Sequence, residues 1–156
     1  MAATDLIKDA LLLNKTLYDP AEITIVQDFK FVDKVKIDRV KILQVIVNLI
    51  KNSIESVTAC SHAHKKIDLI LDYAENNAFM FQVIDNGCGI APENLNKLFS
   101  QGFTTKKDGH GFGLHASALA IKEMGGTFSA TSDGIDQGAV FSIILPRYPL
   151  EVQKKD

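Results

Sequence analysis

The 156-residue chain has no tryptophan, two cysteines and four prolines, and carries no large excess of either charge. Without tryptophan, aromatic packing falls to nine phenylalanines and three tyrosines, enough for one modest core. Cys60 and Cys88 lie far apart and form no CxxC spacing, which argues against a disulfide framework and for free thiols in a reducing compartment. The few prolines are dispersed, so no proline-rich linker divides the chain. A formal charge of -2 gives no bulk attraction to nucleic acid or anionic membranes, so any recognition of phosphate has to be local. Apolar stretches break off well short of the roughly 20 residues that a membrane span needs, and residues 1–9 hold no leader-like apolar region. We therefore expect a cytoplasmic fragment with no nucleic-acid partner and no membrane contact of its own, although a parent protein could be anchored in the inner membrane through other residues.

An apolar content of 46% and a charged content of 23% are those of an ordinary globular domain. The length fits one domain, taken here as residues 1–150, with a polar, frayed tail at 151–156. Residues 6–17 place Leu6, Ala10, Leu13 and Leu17 at helical spacing. Residues 23–29 and, more briefly, 34–37 alternate as strands do, and Asp38 has the chemistry of an N-cap for a long amphipathic helix over 39–58. Its buried stripe should comprise Ile42, Val45, Ile46, Leu49, Ser53, Ile54 and Val57. Strands at 66–73 and 78–85 flank Glu75-Asn76-Asn77, which suits a hairpin turn. A short helix near 92–98, a loop over 100–111, a helix over 112–124 and strands at 127–131 and 139–145 complete the pattern. Such grouping predicts an α+β, two-layer α/β sandwich, with a mixed but mostly antiparallel sheet packed on three helices.

On the long helix, Gln44, Asn48, Asn52 and Glu55 share one face, which we expect to point away from the apolar stripe. Asparagine is a poor helix former, so two in register suggest carbonyl oxygens arranged for Mg²⁺ carrying nucleotide phosphates. Taken alone, the pattern fits a solvated helix face better, since surface asparagine and glutamate need no explanation. Asp85-Asn86-Gly87-Cys88-Gly89 ends a strand with two glycines; an ordinary turn has this composition, but a carboxylate there can also accept from the exocyclic amine of adenine. Gly109-His110-Gly111-Phe112-Gly113-Leu114 opens a helix, where free backbone N–H groups and the helix dipole favour anions. It follows a loop, not the first strand of a βαβ unit, and lacks a Gly-Lys-Ser/Thr sequence, so neither a dinucleotide fingerprint nor a P-loop fits. Between the glycine clusters, Phe99, Phe103, Thr104, Thr105 and Lys106 have the makings of a lid with a mobile cation. A zinc site at Cys60, His62 and His64 would be crowded and short of a fourth ligand.

In this order, Asn48-Leu49-Ile50-Lys51-Asn52, Asp85 to Ile90, Leu98 to Lys106 and Gly109 to Leu114 resemble the N, G1, F and G2 boxes of sensor histidine kinases. That resemblance implies the α/β sandwich shared with gyrase B, Hsp90 and MutL, with ATP and Mg²⁺ as cofactors. It makes Asn48, Asn52 and Lys106 the catalytic residues, Asn52 the Mg²⁺ ligand and Asn48 its assistant. It implies adenine contact by Asp85, with Gly87, Gly89 and Ile90 around the base. Phe99, Phe103, Thr104, Thr105 and Lys106 form the lid, and Gly109, His110, Gly111, Phe112, Gly113 and Leu114 enclose the phosphates. The implied partners are a phosphoacceptor histidine domain and, downstream, a response regulator. None of His62, His64, His110 and His115 sits in the expected acceptor hairpin. The sequence departs from the family pattern at Glu55, where a cation is common, and in Gly138-Ala139-Val140-Phe141, which lacks the threonine of the family's Gly-Thr-x-Phe. The alternatives are an ATPase of the same superfamily and a nucleotide-binding module that has lost catalysis.

Overall fold

The computed structural model describes residues 1–60, 64–99 and 112–148. Helix α1 spans Ala3–Tyr18 and strand β1 Thr24–Phe29; α2 (Arg39–Ala59) leads to β2 (Lys66–Ala74) and β3 (Ala78–Asp85). The short α3 (Pro92–Leu95), α4 (Phe112–Glu123), β4 (Thr127–Thr131) and β5 (Ala139–Pro146) follow. The sheet runs β1-β2-β3-β5-β4. Only β1 and β2 pair in parallel, because the connection between them crosses over through α2; the other neighbours are antiparallel. The predicted sandwich is therefore observed, with α1, α2 and α4 covering one face of a mixed sheet.

Local chemistry explains the best-defined elements. Asp38 caps α2 by accepting the Lys41 N–H at 3.1 Å, which satisfies one of the donors that a helix start leaves open. All seven expected stripe residues of α2 are buried, together with Ile50. In the three-residue loop between the paired Ala74 and Ala78, Asn76 and Asn77 both adopt left-handed backbone, with φ of 60° and 59°, which asparagine tolerates in tight hairpin turns. Beneath the helices, Ile67, Leu69, Leu71, Phe81, Val83, Ile143 and Leu145 alternate inward on β2, β3 and β5.

Two expectations need correction. Helix α1 does not bury Leu13 and Leu17, which are 63% and 43% exposed; its inner face is Ala3, Leu6, Ile7, Ala10, Leu11 and Asn14. Asn14 sets this rotation, since its buried Nδ2 donates to Ala10 O at 3.1 Å and across to Val47 O of α2 at 3.3 Å. The segment 34–37 is no strand, although Val35 is buried and Ile37 half-buried as its alternation suggested. Its backbone is satisfied elsewhere, Val35 N–H by Met1 O and Lys36 N–H by Arg147 O, so the faces were readable and the partners were not. Replacing Leu6 with alanine should cost about 3 kcal/mol in urea unfolding, whereas Leu13→Ala should change stability by no more than about 0.5 kcal/mol.

Candidate functional site: a buried aspartate beside an asparagine-bearing helix

Strand β3 delivers Asp85 to the end of the sheet, where it is 6% exposed. Burial raises its pKa above 3.8; the Gly87 N–H, donating to Oδ1 at 2.8 Å, the Ser53 hydroxyl and the Ala139 N–H each favour the charged form without overcoming burial. Ser53 belongs to the buried stripe of α2, and its Oγ has no hydrogen bond of good geometry. Asp85 therefore touches α2 one residue from Asn52.

The loop after Asp85 is clamped on two sides. A Cβ at Gly87 would overlap Ser56 Oγ and lie 2.6 Å from the Ser56 carbonyl carbon, so only glycine lets the loop approach α2 this closely. Gly89 has φ +71°, and a side chain there would strike Gly134 O in the β4–β5 turn. Ser132 ties the two turns together: its Oγ accepts the Ile90 N–H at 3.0 Å and donates to Gly138 O at 2.6 Å. Cys88 N–H donates to Ser56 Oγ at 2.9 Å, and Cys88 Sγ donates to Ser56 O at 3.3 Å. The two cysteines, distant in sequence, share this corner: Cys60 Sγ donates to Asp136 Oδ1 at 3.6 Å. Burial, and then Cys60, Asp136 and Asp85, push the Cys88 thiol up.

The amide face of α2 is not simply opposite the apolar stripe. Gln44 and Glu55 are exposed, but Asn48 and Asn52 are half-buried, because α4 packs along that edge. Between the two helices lies a cavity of about 220 Å³, lined by Lys41, Gln44, Val45, Asn48 and three small residues of α4, Ala116, Ser117 and Ala120. Ile90 and Leu114 pack against the core. The Phe99 ring stacks on Phe128 with centroids 4.5 Å apart, and Phe99 O accepts from His115 Nδ1 at 2.9 Å, which fixes the proton of that imidazole on Nδ1. Among the described residues a Cβ at Gly113, in the first turn of α4, would meet nothing within 4 Å, unlike one at Gly87 or Gly89. Phe103, Thr104, Thr105, Lys106, Gly109, His110, Gly111, the side chain of Phe112, and His62 lie outside the described residues. Among the described residues no group of three His, Cys, Asp or Glu could hold a metal ion.

The family model for histidine kinase-, DNA gyrase B- and HSP90-like ATPases matches residues 37–149. The chain belongs to this family. It is 32% identical over 118 residues to a probable C4-dicarboxylate sensor kinase of Bacillus subtilis (strain 168), covering 75% of this chain and 22% of that protein. It is 34% identical over 114 residues to the sensor protein FixL of Bradyrhizobium diazoefficiens, covering 73% and 22%. The chain thus spans about a fifth of the length of these relatives. The catalytic domain of the histidine kinase ThkA superposes with a TM-score of 0.82 at 27% identity, over 97% of this chain and 96% of that domain. The fold is that of a histidine kinase catalytic domain, an ATP-binding domain of the family, and among the described residues no helix is long and apolar enough to cross a membrane.

The sequence reading missed Ser53 as a polar neighbour of Asp85, counting it only in the apolar stripe. One hydroxyl among seven buried positions was the available signal. It also missed Gly138, whose φ of +71° and contact with Asp85 O leave no room for a side chain.

The raised pKa of Asp85 has a definite consequence. As pH rises the unfolded chain releases this proton near 3.8, while the folded chain keeps it longer, so stability falls with pH across that window and the full cost persists above it. Asp85→Asn, which keeps an acceptor for Gly87, should melt above the parent protein at neutral pH without nucleotide, and the advantage should shrink as pH is lowered toward 3.8. Gly87→Ala should lower the nucleotide-free melting temperature by several degrees, as a residue required by packing must, independently of any ligand.

Proposed function

We propose that this domain binds Mg·ATP along the α2 edge and supports transfer of its terminal phosphoryl group to a histidine on a phosphoacceptor domain, from which a response regulator receives it. The observation that carries the reading is Asp85, buried at a strand end against Ser53, on the same helix that presents Asn48 and Asn52. A carboxylate in that setting calls for a donor, and the exocyclic amine of adenine is one, whereas guanine presents a carbonyl there. The Ser53 hydroxyl, facing Asp85, adds a second polar group at the same depth.

The donor set suits magnesium. Two half-buried amides on one helical edge offer hard oxygens, and the phosphates would complete the shell and most of the charge. Asn52 would be the protein ligand and Asn48 its neighbour toward the phosphates. When bound, the ion neutralises phosphate charge. Gly113 and Leu114 lie in the first turn of α4, where N–H groups without intrahelical partners favour anions. Gly109, His110, Gly111 and Phe112 would extend that cradle, with Phe99, Phe103, Thr104, Thr105 and Lys106 as the lid, by the sequence reading alone. Asn48 also separates this proposal from ATP hydrolysis. An amide cannot take a proton from water, so the site favours a nucleophile brought by a partner.

Titration of Mg·ATP by calorimetry should show Asp85→Asn weakening binding by at least ~1.5 kcal/mol, the scale of a hydrogen bond to a charged group. In Asn52→Ala, magnesium should no longer strengthen binding. With a separately supplied phosphoacceptor domain and labelled ATP, label should reach a histidine of that domain. Tight Mg·ATP binding without transfer would instead indicate a nucleotide-binding module, and steady hydrolysis lost on changing Asn48 would indicate an ATPase.

A further inference from the structure

Cys60 and Cys88 take no part in the nucleotide contacts just described, yet the fold brings them together through two shared neighbours. Ser56 O accepts both the Cys60 N–H at 3.2 Å and the Cys88 thiol at 3.3 Å, while Ser56 Oγ accepts the Cys88 N–H at 2.9 Å. Asp136, in the β4–β5 turn, accepts from Cys60 Sγ at 3.6 Å and donates its own N–H to Cys88 O at 2.7 Å. Held this way, the Cys60 side chain reaches the Cys88 thiol directly. Cys60 caps the end of α2 and Cys88 stands between Gly87 and Gly89, so the pair joins the helix to the loop that follows Asp85.

A bond between the two sulfurs would cost the fold little. It removes two weak S–H donors, and neither acceptor is orphaned: Ser56 O keeps the Cys60 N–H, and Asp136 is exposed to water. The backbone of the loop has no room to move closer, because Gly87 already abuts Ser56, so the approach of the sulfurs falls on side-chain rotation. We propose that Cys60 and Cys88 form a reversible disulfide when a low-molecular-weight disulfide such as oxidised glutathione accumulates, and that the bond pins the Asp85 loop to the end of α2. Cys88 is the entry point, being half-buried where Cys60 is 8% exposed. Its thiolate attacks one sulfur of the glutathione disulfide, which forms a mixed disulfide and releases one glutathione. The Cys60 thiolate then attacks the Cys88 sulfur and releases the second glutathione. Two protons and two electrons leave the protein, and the two glutathione thiols carry both. Burial, and then Cys60, Asp136 and Asp85, push the Cys88 thiol up, so its thiolate is scarce at neutral pH and the first step is slow. That sets the rate, whereas the position of the equilibrium depends on how closely the fold holds the two sulfurs.

The test equilibrates the folded chain with millimolar glutathione disulfide, quenches with acid, alkylates the remaining thiols and digests with trypsin, which separates the two cysteines at Lys65 and Lys66. Mass spectrometry should find the Cys60 and Cys88 peptides linked, and dithiothreitol should free them. Cys60→Ser should stop at a glutathione adduct on Cys88. Two alkylated cysteines, or separate glutathione adducts on each, in the parent chain would overturn the proposal. Closing a loop of about 28 residues should raise the nucleotide-free melting temperature by roughly 5 °C, reversibly. Resting for one arm on the ATP-site reading above, the oxidised chain should bind Mg·ATP within about twofold of the reduced chain or more tightly, since the Asp85 loop stays in place. An oxidised chain that melts lower, or that loses Mg·ATP while the reduced chain binds it, would overturn the pinning of the loop as it stands. A chain that binds no nucleotide in either state would sink the ATP site and leave the disulfide standing on the linked peptides.

Discussion

The arrangement of this domain depends on one helix being covered on several sides. Its α2 lays Ile42, Val45, Ile46, Leu49, Ile50, Ile54 and Val57 into the core over β2 and β3, with α1 packed beside it and α4 along another edge. The rotation of α2 about its axis decides which residues reach the rim. With the apolar stripe seated, Asn48 and Asn52 can only lie half-buried at the α4 edge, and Ser53 can only face Asp85. The Asn14 amide reinforces this seating by bonding from α1 to Val47 O, so a polar contact at the residue before Asn48 helps fix the amide edge.

Around Asp85 the chain accepts a desolvation cost and surrounds it with rigid parts. The loop from Gly87 to Gly89 presses on α2 at one side and on the β4–β5 turn at the other, so tightly that neither glycine admits a side chain. Ser132 bonds Ile90 and Gly138, while Gly138 N–H reaches Gly87 O at 3.2 Å and Asp136 N–H reaches Cys88 O at 2.7 Å. Such a cup is preorganised: the carboxylate does not have to be assembled when a ligand arrives, which reduces the ordering cost of binding. The same closeness explains why Cys60 and Cys88, unremarkable in sequence, come to influence one another in space.

Much of this was legible before the structure. The inward alternation of β2 and β3, the paired asparagines between them, the Asp38 cap and the stripe of α2 each follow from a local rule, and each stands as read. What escaped depends on partners distant in sequence. The spacing of Leu6, Ala10, Leu13 and Leu17 pointed α1 toward Leu13 and Leu17, whereas the Asn14 acceptor that turns the helix lies on α2, 33 positions away. Residues 34–37 alternated like a strand, but alternation specifies faces and says nothing about which backbone groups answer. The glycines of the Asp85 loop were attributed to a ligand's approach, while the structure supplies a sufficient reason within the protein, the proximity of Ser56 and Gly134. Amphipathic periodicity located the amide edge of α2 but could not reveal that α4 would cover half of it.

The chemistry available on that edge is asymmetric. On the proposed reading, the amides of Asn48 and Asn52 can hold magnesium and help orient a phosphoryl group. They cannot remove a proton: amides are not bases, and the nearby carboxylate Asp85 is buried, hydrogen-bonded to Gly87 and displaced along α2 toward the other end of the site. A domain built this way, on the proposed reading, supplies the position of the phosphate and the stabilisation of its charge, and leaves the nucleophile to be brought from outside. Water is the weaker candidate, since the group beside the proposed magnesium ligand is the Asn48 amide, which cannot take a proton, while Glu55, the carboxylate on that face, is exposed to solvent. A neutral imidazole needs no such activation, because its ring nitrogen already carries the lone pair that attacks, and that difference is the physical reason to favour transfer over hydrolysis on this scaffold.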